Sequence, residues 1–521
     1  MKLALTDCAL RVPRLEPFSV GTTQGRGATA LSGGAQSKLA LALFSGGDER
    51  VFLDPATGRT KYGTPHGCAE DEIWFSSSTA SAISARGYAA VAATWQGLVS
   101  GSETLDSCCN EVRNRLTGLF GIKGTQAILA GSGTEAVLIS LALARMFCGA
   151  RIATIIVGCA ETGRSVSAAA TGLHFLRHAT FGEVAAGHRL DGLEDMDIIL
   201  DTVEIRDSAG ALRLGAAIDA ELAQKVEAAR HDGRDVIIHR LDGSKTGQSA
   251  PSLAAIAQLC EAAPGHVFML ADCCQLRCSA AHIQALLARG FLVTLTGSKF
   301  AGGPAFAGAL LVPPMLMQRL QPKQLPTGLA AYSAQLDWPP MLRAMLPLAF
   351  LPAANIGLAL RWQAALAEIE RFFAWPADLR NAILMRFYEE VAQRVAETPC
   401  LDLLPTPAAS EASWGHTILG VAMHHSDGRV FDMAEAAAVQ RRLREAGHAG
   451  NRVAAKCFHL GQPVAIGGAG ILRVCASAVL VNHLAEEIEA GSSLPKAFAP
   501  IAETLADLFR AWPAVLATGP Q

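Results

Sequence analysis

Between residues 125 and 315 the chain repeats one pattern: a run of four to six apolar residues, a turn, and an amphipathic stretch long enough for a helix. The runs include "QAILA" (126–130), "ATIIVG" (153–158), "DVIIH" (235–239), "VFMLA" (267–271) and "FLVTLT" (291–296), with stretches such as "SLAAIAQLCEAA" (252–263) between them. A short run with no polar face describes a strand covered on both sides, and intervening helices supply the cover. The pattern therefore predicts an α/β fold, a mostly parallel sheet sandwiched by helices.

Texture elsewhere divides the chain further. Residues 61–345 form the expected large domain, preceded by an N-terminal extension or small-domain segment over 1–60. A helical pattern ending near Glu397 follows the Pro-marked "LDWPPMLRAMLPLAFLP", which makes 346–398 a bridge. The mixed strand and helix signals of "HTILGVAM", "MAEAAAVQRRLREAG" and "GILRVCASA" predict a smaller α+β domain over 399–521.

Composition narrows the function classes. Half of the 521 residues are hydrophobic and 17% are charged, the profile of a globular chain with ample core. The net charge of −3 offers no basic field for nucleic acid or an anionic membrane surface. No apolar run approaches the roughly 20 residues that span a bilayer, and the start, "MKLALTDCAL", is broken by Thr6 and Asp7, unlike a signal peptide. The 13 cysteines contain no CxxC pair, so no zinc ligand set is expected, and reduced thiols in a cytoplasm fit them best.

Four strand exits carry chemistry. In "LAGSGTEAVL" (129–138), Ser132, Gly133 and Thr134 turn the chain into a helix, either as an ordinary cap or as an anion site facing a phosphate. The GxGxxG pattern fails there because Ala136 stands in the last glycine's place, which leaves a nucleotide-dependent oxidoreductase as a distant reading. In "VFMLADCCQLRCS" (267–279), Asp272 ends a strand, where open α/β sheets bind ligands; it either caps the next helix or pairs with a protonated ring nitrogen. In "LTGSKFAGGPAF" (295–306), Lys299 leaves the following strand, with Thr296 and Ser298 beside it as hydroxyls for a phosphate. Lys245 in "GSKTG" is a second candidate lysine, in a loop that lacks the GK[ST] of a P-loop. Arg473 in "GILRVCASAVL" interrupts an apolar strand, either for a structural ion pair or to grip a substrate carboxylate.

In this order the segments resemble the fold-type-I pyridoxal-5′-phosphate enzymes, most of all the class-V aminotransferase and cysteine desulfurase superfamily. "SGTEA" is similar to that family's phosphate turn, "SKTG" to its Asn-Glu-Thr-Gly run, "DCCQ" to its Asp-x-x-Gln, "TGSK" to its Schiff-base lysine and "LRVCASA" to its carboxylate-binding strand. The resemblance implies a seven-stranded-type sheet and pyridoxal 5′-phosphate on Lys299, with Asp272 at the ring nitrogen and Gln275 at the ring hydroxyl. It further implies cofactor contacts from Ser132, Gly133, Thr134, Thr162, Ser244, Thr296 and Ser298, and a substrate carboxylate on Arg473. The expected activity is transamination of an α-amino acid. Lyase, desulfurase, carbon–carbon bond-forming or decarboxylating reactions, and a non-catalytic sensor or partner subunit, stand as alternatives. A homodimer with shared sites is implied as well, with "PKQLPTGLAAYSAQLDWPP" (322–340) either reaching a neighbour's site or forming a surface loop. Where the family stacks a His on the ring, this chain has Thr162, and His174 is the nearest substitute in sequence; Cys457 is the cysteine considered for desulfuration.

Overall fold

A computed structural model describes residues 33–69, 71–321, 323–407, 413–446 and 456–517. Residues 1–32 of the expected N-terminal extension lie outside the described residues. The central sheet follows the order Gln126–Ala130, Gly308–Val312, Leu292–Thr296, Val267–Asp272, Asp235–Asp242, Arg151–Val157, Asp197–Val203. The two-residue strand Ser249–Ala250 pairs off this path. Gly308–Val312 runs antiparallel to both neighbours, and the remaining pairs on the path are parallel.

Strand alternation shows why these runs are apolar throughout. Ile152 and Ile156 join one hydrophobic cluster, while Ala153, Ile155 and Val157 join another on the opposite face. The same split separates Phe268 and Leu270 from Met269 and Ala271. Each face is covered, so neither can be polar. Helix Gly133–Ala144 packs on one face and is buried along nearly its whole length, which matches its lack of a polar stripe.

The smaller sheet has the order Glu72–Phe75, Cys457–Ile466, Ala469–Cys475, Ile418–Met423, Leu401–Leu403. Its first strand comes from near the start of the 61–345 range and lies parallel to Cys457–Ile466, with Glu72 opposite Cys457. That expected domain therefore contains a strand hydrogen-bonded into the C-terminal sheet. The bridge is two helices, Ile356–Ala374 and Ala377–Ala396, where one was expected. The break falls at Pro376, which has no N–H to continue the first helix and instead caps the second. Within 323–340, Leu325, Leu329, Tyr332 and Trp338 are buried in the chain's own core, while Lys323, Gln324, Thr327 and Pro340 are exposed.

One buried cation ties the bridge to the loop that leads into strand Gly308–Val312. Arg361 is fully buried and donates to the carbonyls of Phe306 (2.8 Å), Leu43 (2.6 Å), Ser45 (2.9 Å) and Gly46 (3.0 Å). Its guanidinium carbon also lies 5.2 Å from the centre of the Phe306 ring, and Arg50 lies 5.0 Å from the same ring. Phe306 has φ +72°, a left-handed conformation unfavourable for a bulky residue. The carbonyl bond and the two cations hold it there. Arg361→Met leaves the carbonyls of Phe306, Leu43 and Ser45 without their donor, Gly46 keeping the Asn355 amide, and should cost about 3 kcal/mol or more, lowering the melting temperature by a few degrees in a calorimetric scan; an unchanged transition would contradict this role.

Candidate active site

The carboxyl-terminal ends of the parallel strands converge on one rim, and the register there is set by Thr294 opposite Asp272. Asp272 is the last residue of its strand and is half-buried. One carboxylate oxygen accepts from the Thr162 hydroxyl at 2.9 Å and the other from the Cys274 N–H at 3.1 Å. The next helix, Ala280–Ala288, is capped by Ser279, so capping is not the task of Asp272. Thr162, expected at the cofactor, works here as the anchor of Asp272. His239 stands on the adjoining strand, and burial pushes its pKa down to about 4, against the pull of Asp272.

Lys299 emerges three residues beyond strand Leu292–Thr296, half-buried; its carbonyl accepts from the Gly302 N–H at 2.9 Å, while its amine has no hydrogen-bond or ion-pair partner among the described residues. The loop carrying it is tight: the Gly303 N–H donates to the Gly297 carbonyl at 3.0 Å, and side chains on either glycine would strike Ala365 of the bridge helix. Close approach to that helix is what demands glycine. Thr296 donates its hydroxyl proton to the Cys274 carbonyl at 2.6 Å, stitching the two strand exits together rather than presenting that proton to a phosphate. Ser298 is buried beside Lys299.

Across the rim, Ser132 caps helix Gly133–Ala144 by accepting from the Glu135 N–H at 3.2 Å, and Glu135 accepts from the Gly131 N–H at 2.6 Å. Burial pushes the Glu135 carboxyl up to about 8, against the pull of Arg50. A side chain at Gly133 would meet the Cys274 sulfur at 2.3 Å, so the helix start lies against the strand exit that follows Asp272. Thr134 is half-buried at this start. Gln275, 3% exposed, donates to the Ser78 carbonyl at 3.3 Å, while its Oε1 has no partner among the described residues. A buried amide oxygen without a donor marks a place where a ligand group fits.

Glu161 forms a separate buried knot. Arg206 donates to one oxygen at 2.5 Å, while Ser244, also at 2.5 Å, and Thr246 donate to the other. The Ser244 proton, expected at a cofactor ring, is thus committed to Glu161. Arg473 lies on the small sheet, 3% exposed. It donates to the carbonyls of Gln462 (2.6 and 2.9 Å) and Lys245 (3.3 Å) and to the Thr79 hydroxyl (3.0 Å). Burial lowers its pKa to about 10. Among the described residues it has no ion pair, its donors serving neutral acceptors instead.

The stretch "SSSTAS" (76–81) carries turn signals in sequence, yet it forms a buried floor between Gln275 and Arg473. Arg277 donates to the Ser77 hydroxyl at 2.8 Å and to the Ala476 carbonyl at 3.2 Å, joining this floor to both sheets. Its serines offered no spacing by which to find them. His174 and Cys457 are elsewhere. His174 Nδ1 lies 2.9 Å from the Tyr332 hydroxyl, and Cys457 is buried at the start of a small-sheet strand rather than on a loop.

Lys245, the second candidate lysine, lies within electrostatic reach of Arg473 and Lys299. Burial, with help from the charges of Arg473, Lys299 and Arg164, lowers its pKa to about 8. Its amine should therefore react with an acylating reagent with a midpoint near pH 8, well below an ordinary lysine. Mass spectrometry of pH-jump labelling checks this, and Arg473→Met should raise the midpoint; an initial midpoint near 10 would contradict the electrostatic crowding.

No protein-family model matches the sequence, and no curated protein matches it. Solved structures do. The chain is similar to the cysteine desulfurase CsdA from Escherichia coli, with TM-score 0.53 and 13% identity over 90% of this chain and 99% of that one. It is similar to alanine–glyoxylate aminotransferase from Nostoc sp., with TM-score 0.52 and 14% identity over 90% and 98%. A third is the cystine C–S lyase C-DES in complex with its product cysteine persulfide, with TM-score 0.50 and 15% identity over 80% and 97%. At these identities the likeness establishes the fold, which is that of the fold-type-I pyridoxal-phosphate enzymes.

Proposed function

We propose that the chain is a pyridoxal-5′-phosphate-dependent enzyme that transaminates an α-amino acid. The observation that carries this reading is the delivery of Asp272 and Lys299 to one sheet rim, beside a Gln275 Oε1 that has no partner among the described residues; Arg473 likewise has no ion pair among them. The similar structures, an aminotransferase, a desulfurase and a lyase, support an enzyme on this fold without selecting the reaction.

The described residues fit the cofactor. Lys299 would hold it through its amine, and the helix start at Ser132, Gly133 and Thr134 would take the phosphate with backbone N–H groups and the positive end of the helix. Gln275 would meet the ring hydroxyl, and Asp272, fixed by Thr162 and the Cys274 N–H, would hold a proton at the ring nitrogen. When bound, pyridoxal phosphate supplies an electron-withdrawing ring that makes the α-proton of an amino acid removable.

The chain's own groups then do the rest. Arg473, whose Nη1 keeps one N–H uncommitted, orients the α-carboxylate by that N–H and by its charge. The Lys299 amine would be the base that takes the α-proton and, once protonated, the acid that gives a proton back. Transamination needs no acid–base group beyond this one. Cys457, fixed in a strand, is not a mobile sulfur acceptor. We extend the reading to a homodimer, as the resemblance implies, and to a cytoplasmic setting, which suits 13 scattered cysteines without a CxxC pair. Among the described residues no helix is long and apolar enough to cross a membrane.

The experiment is single-turnover mixing with a panel of amino acids. One equivalent of keto acid with loss of the visible cofactor band is expected, and sulfide, ammonia or carbon dioxide release would sink transamination. Asp272→Ala should lower kcat by about 10³-fold. Arg473→Met should raise KM by about 100-fold with a smaller change in kcat, and equal loss in both would contradict its assignment as a carboxylate grip.

A further inference from the structure

After the cofactor and the α-carboxylate have been assigned their residues, positive charge is left over. Lys245 sits in the loop between strand Asp235–Asp242 and Ser249–Ala250. Its N–H donates to the Glu161 carbonyl at 3.0 Å, and its own carbonyl accepts from Arg473 at 3.3 Å, so the two cations share one backbone junction. The ammonium reaches only a neutral partner, the Ala160 carbonyl at 3.4 Å. Arg164 lies exposed nearby, and its charge acts on Lys245. Neither Lys245 nor Arg164 has an ion pair among the described residues. Glu161, the acidic side chain whose charge does reach Lys245, has both oxygens occupied by Arg206, Ser244 and Thr246.

A half-buried ammonium beside a buried guanidinium is unfavourable unless an anion arrives to neutralise both. The phosphate has its own place at the helix start across the rim, and Arg473 is taken by one carboxylate. We infer that Lys245, with Arg164 at the rim, is a second anion-binding point of the same site, so that the substrate is an amino acid whose side chain ends in a carboxylate. This rests on the enzyme reading above and deepens it to a substrate class. Lys245 is a specificity residue here: it touches the end of the substrate remote from the reacting carbon. Its charge would favour a dicarboxylic amino acid over a neutral one of equal length, because the neutral competitor leaves the ammonium uncompensated.

The test is calorimetric titration of the full chain with succinate and with butyrate, which have the same carbon count and differ by one carboxylate. Addition of pyridoxal phosphate is followed separately by its visible band. Succinate should bind about tenfold or more tightly than butyrate. Lys245→Gln should bring the two within about twofold, while Lys245→Arg keeps the preference. A wild-type protein without the preference, or a Lys245→Gln protein that retains it, overturns the inference. The two readings fail separately: a visible band without succinate preference removes the second anion point alone. Succinate preference without any visible band supports the anion point and overturns the cofactor reading.

Discussion

The parallel register between Val267–Asp272 and Leu292–Thr296, with Thr294 beside Asp272, is the constraint on which the rest of the site depends. In a parallel pair both chains leave the sheet on the same side, so a carboxylate ending one strand and a lysine following the next are delivered to one rim. Thr296 then bonds the Cys274 carbonyl, and Thr162 bonds the carboxylate of Asp272 from a third strand exit. A shift of this register would separate Asp272 from Lys299 and break the stitches between their loops.

Around that rim the chain builds two buried polar knots with different tasks. Glu161 gathers Arg206, Ser244 and Thr246 and thereby fixes the loop that carries Lys245. Arg361 gathers four carbonyls and, with Arg50, holds Phe306 in its left-handed conformation, which turns the chain after the Lys299 loop into the antiparallel strand. Both are expensive to bury and tolerable only because nearly every donor finds an acceptor. The candidate site contrasts with them. Lys299, Arg473 and Lys245 are cations without described counter-ions, and Gln275 keeps an unmatched oxygen. Saturated support around an unsaturated centre is the pattern expected of a site arranged for a ligand.

Much of this was legible from local sequence. Buried parallel strands must be apolar on both faces, so their runs stand out, and a lone Asp272 or Lys299 at the end of such a run is conspicuous. Non-local pairing leaves no such trace. Nothing in "EIWF" (72–75) signals that it joins a sheet whose other strands begin after residue 400. The serines of 76–81 carry turn composition, but their burial follows from what Arg277 and Gln275 require of them. Hydroxyl roles were also hidden, because a side chain's partner depends on the fold: Ser244 turned to Glu161, Thr296 to a carbonyl, and Thr162 to Asp272. Pro376 could have been read as a helix break, since proline lacks the N–H that a continuing helix would use, although Pro500 and Pro513 lie inside the helix Leu494–Ala517.

The central claim is that Lys299 carries the reactive amine of this rim. Borohydride reduction of the protein mixed with pyridoxal phosphate, followed by peptide mapping, tests it most directly. The account predicts one phosphopyridoxyl group per chain on the peptide containing Lys299, and none after Lys299→Ala. Label on Lys245, or no stable label at all, would contradict it.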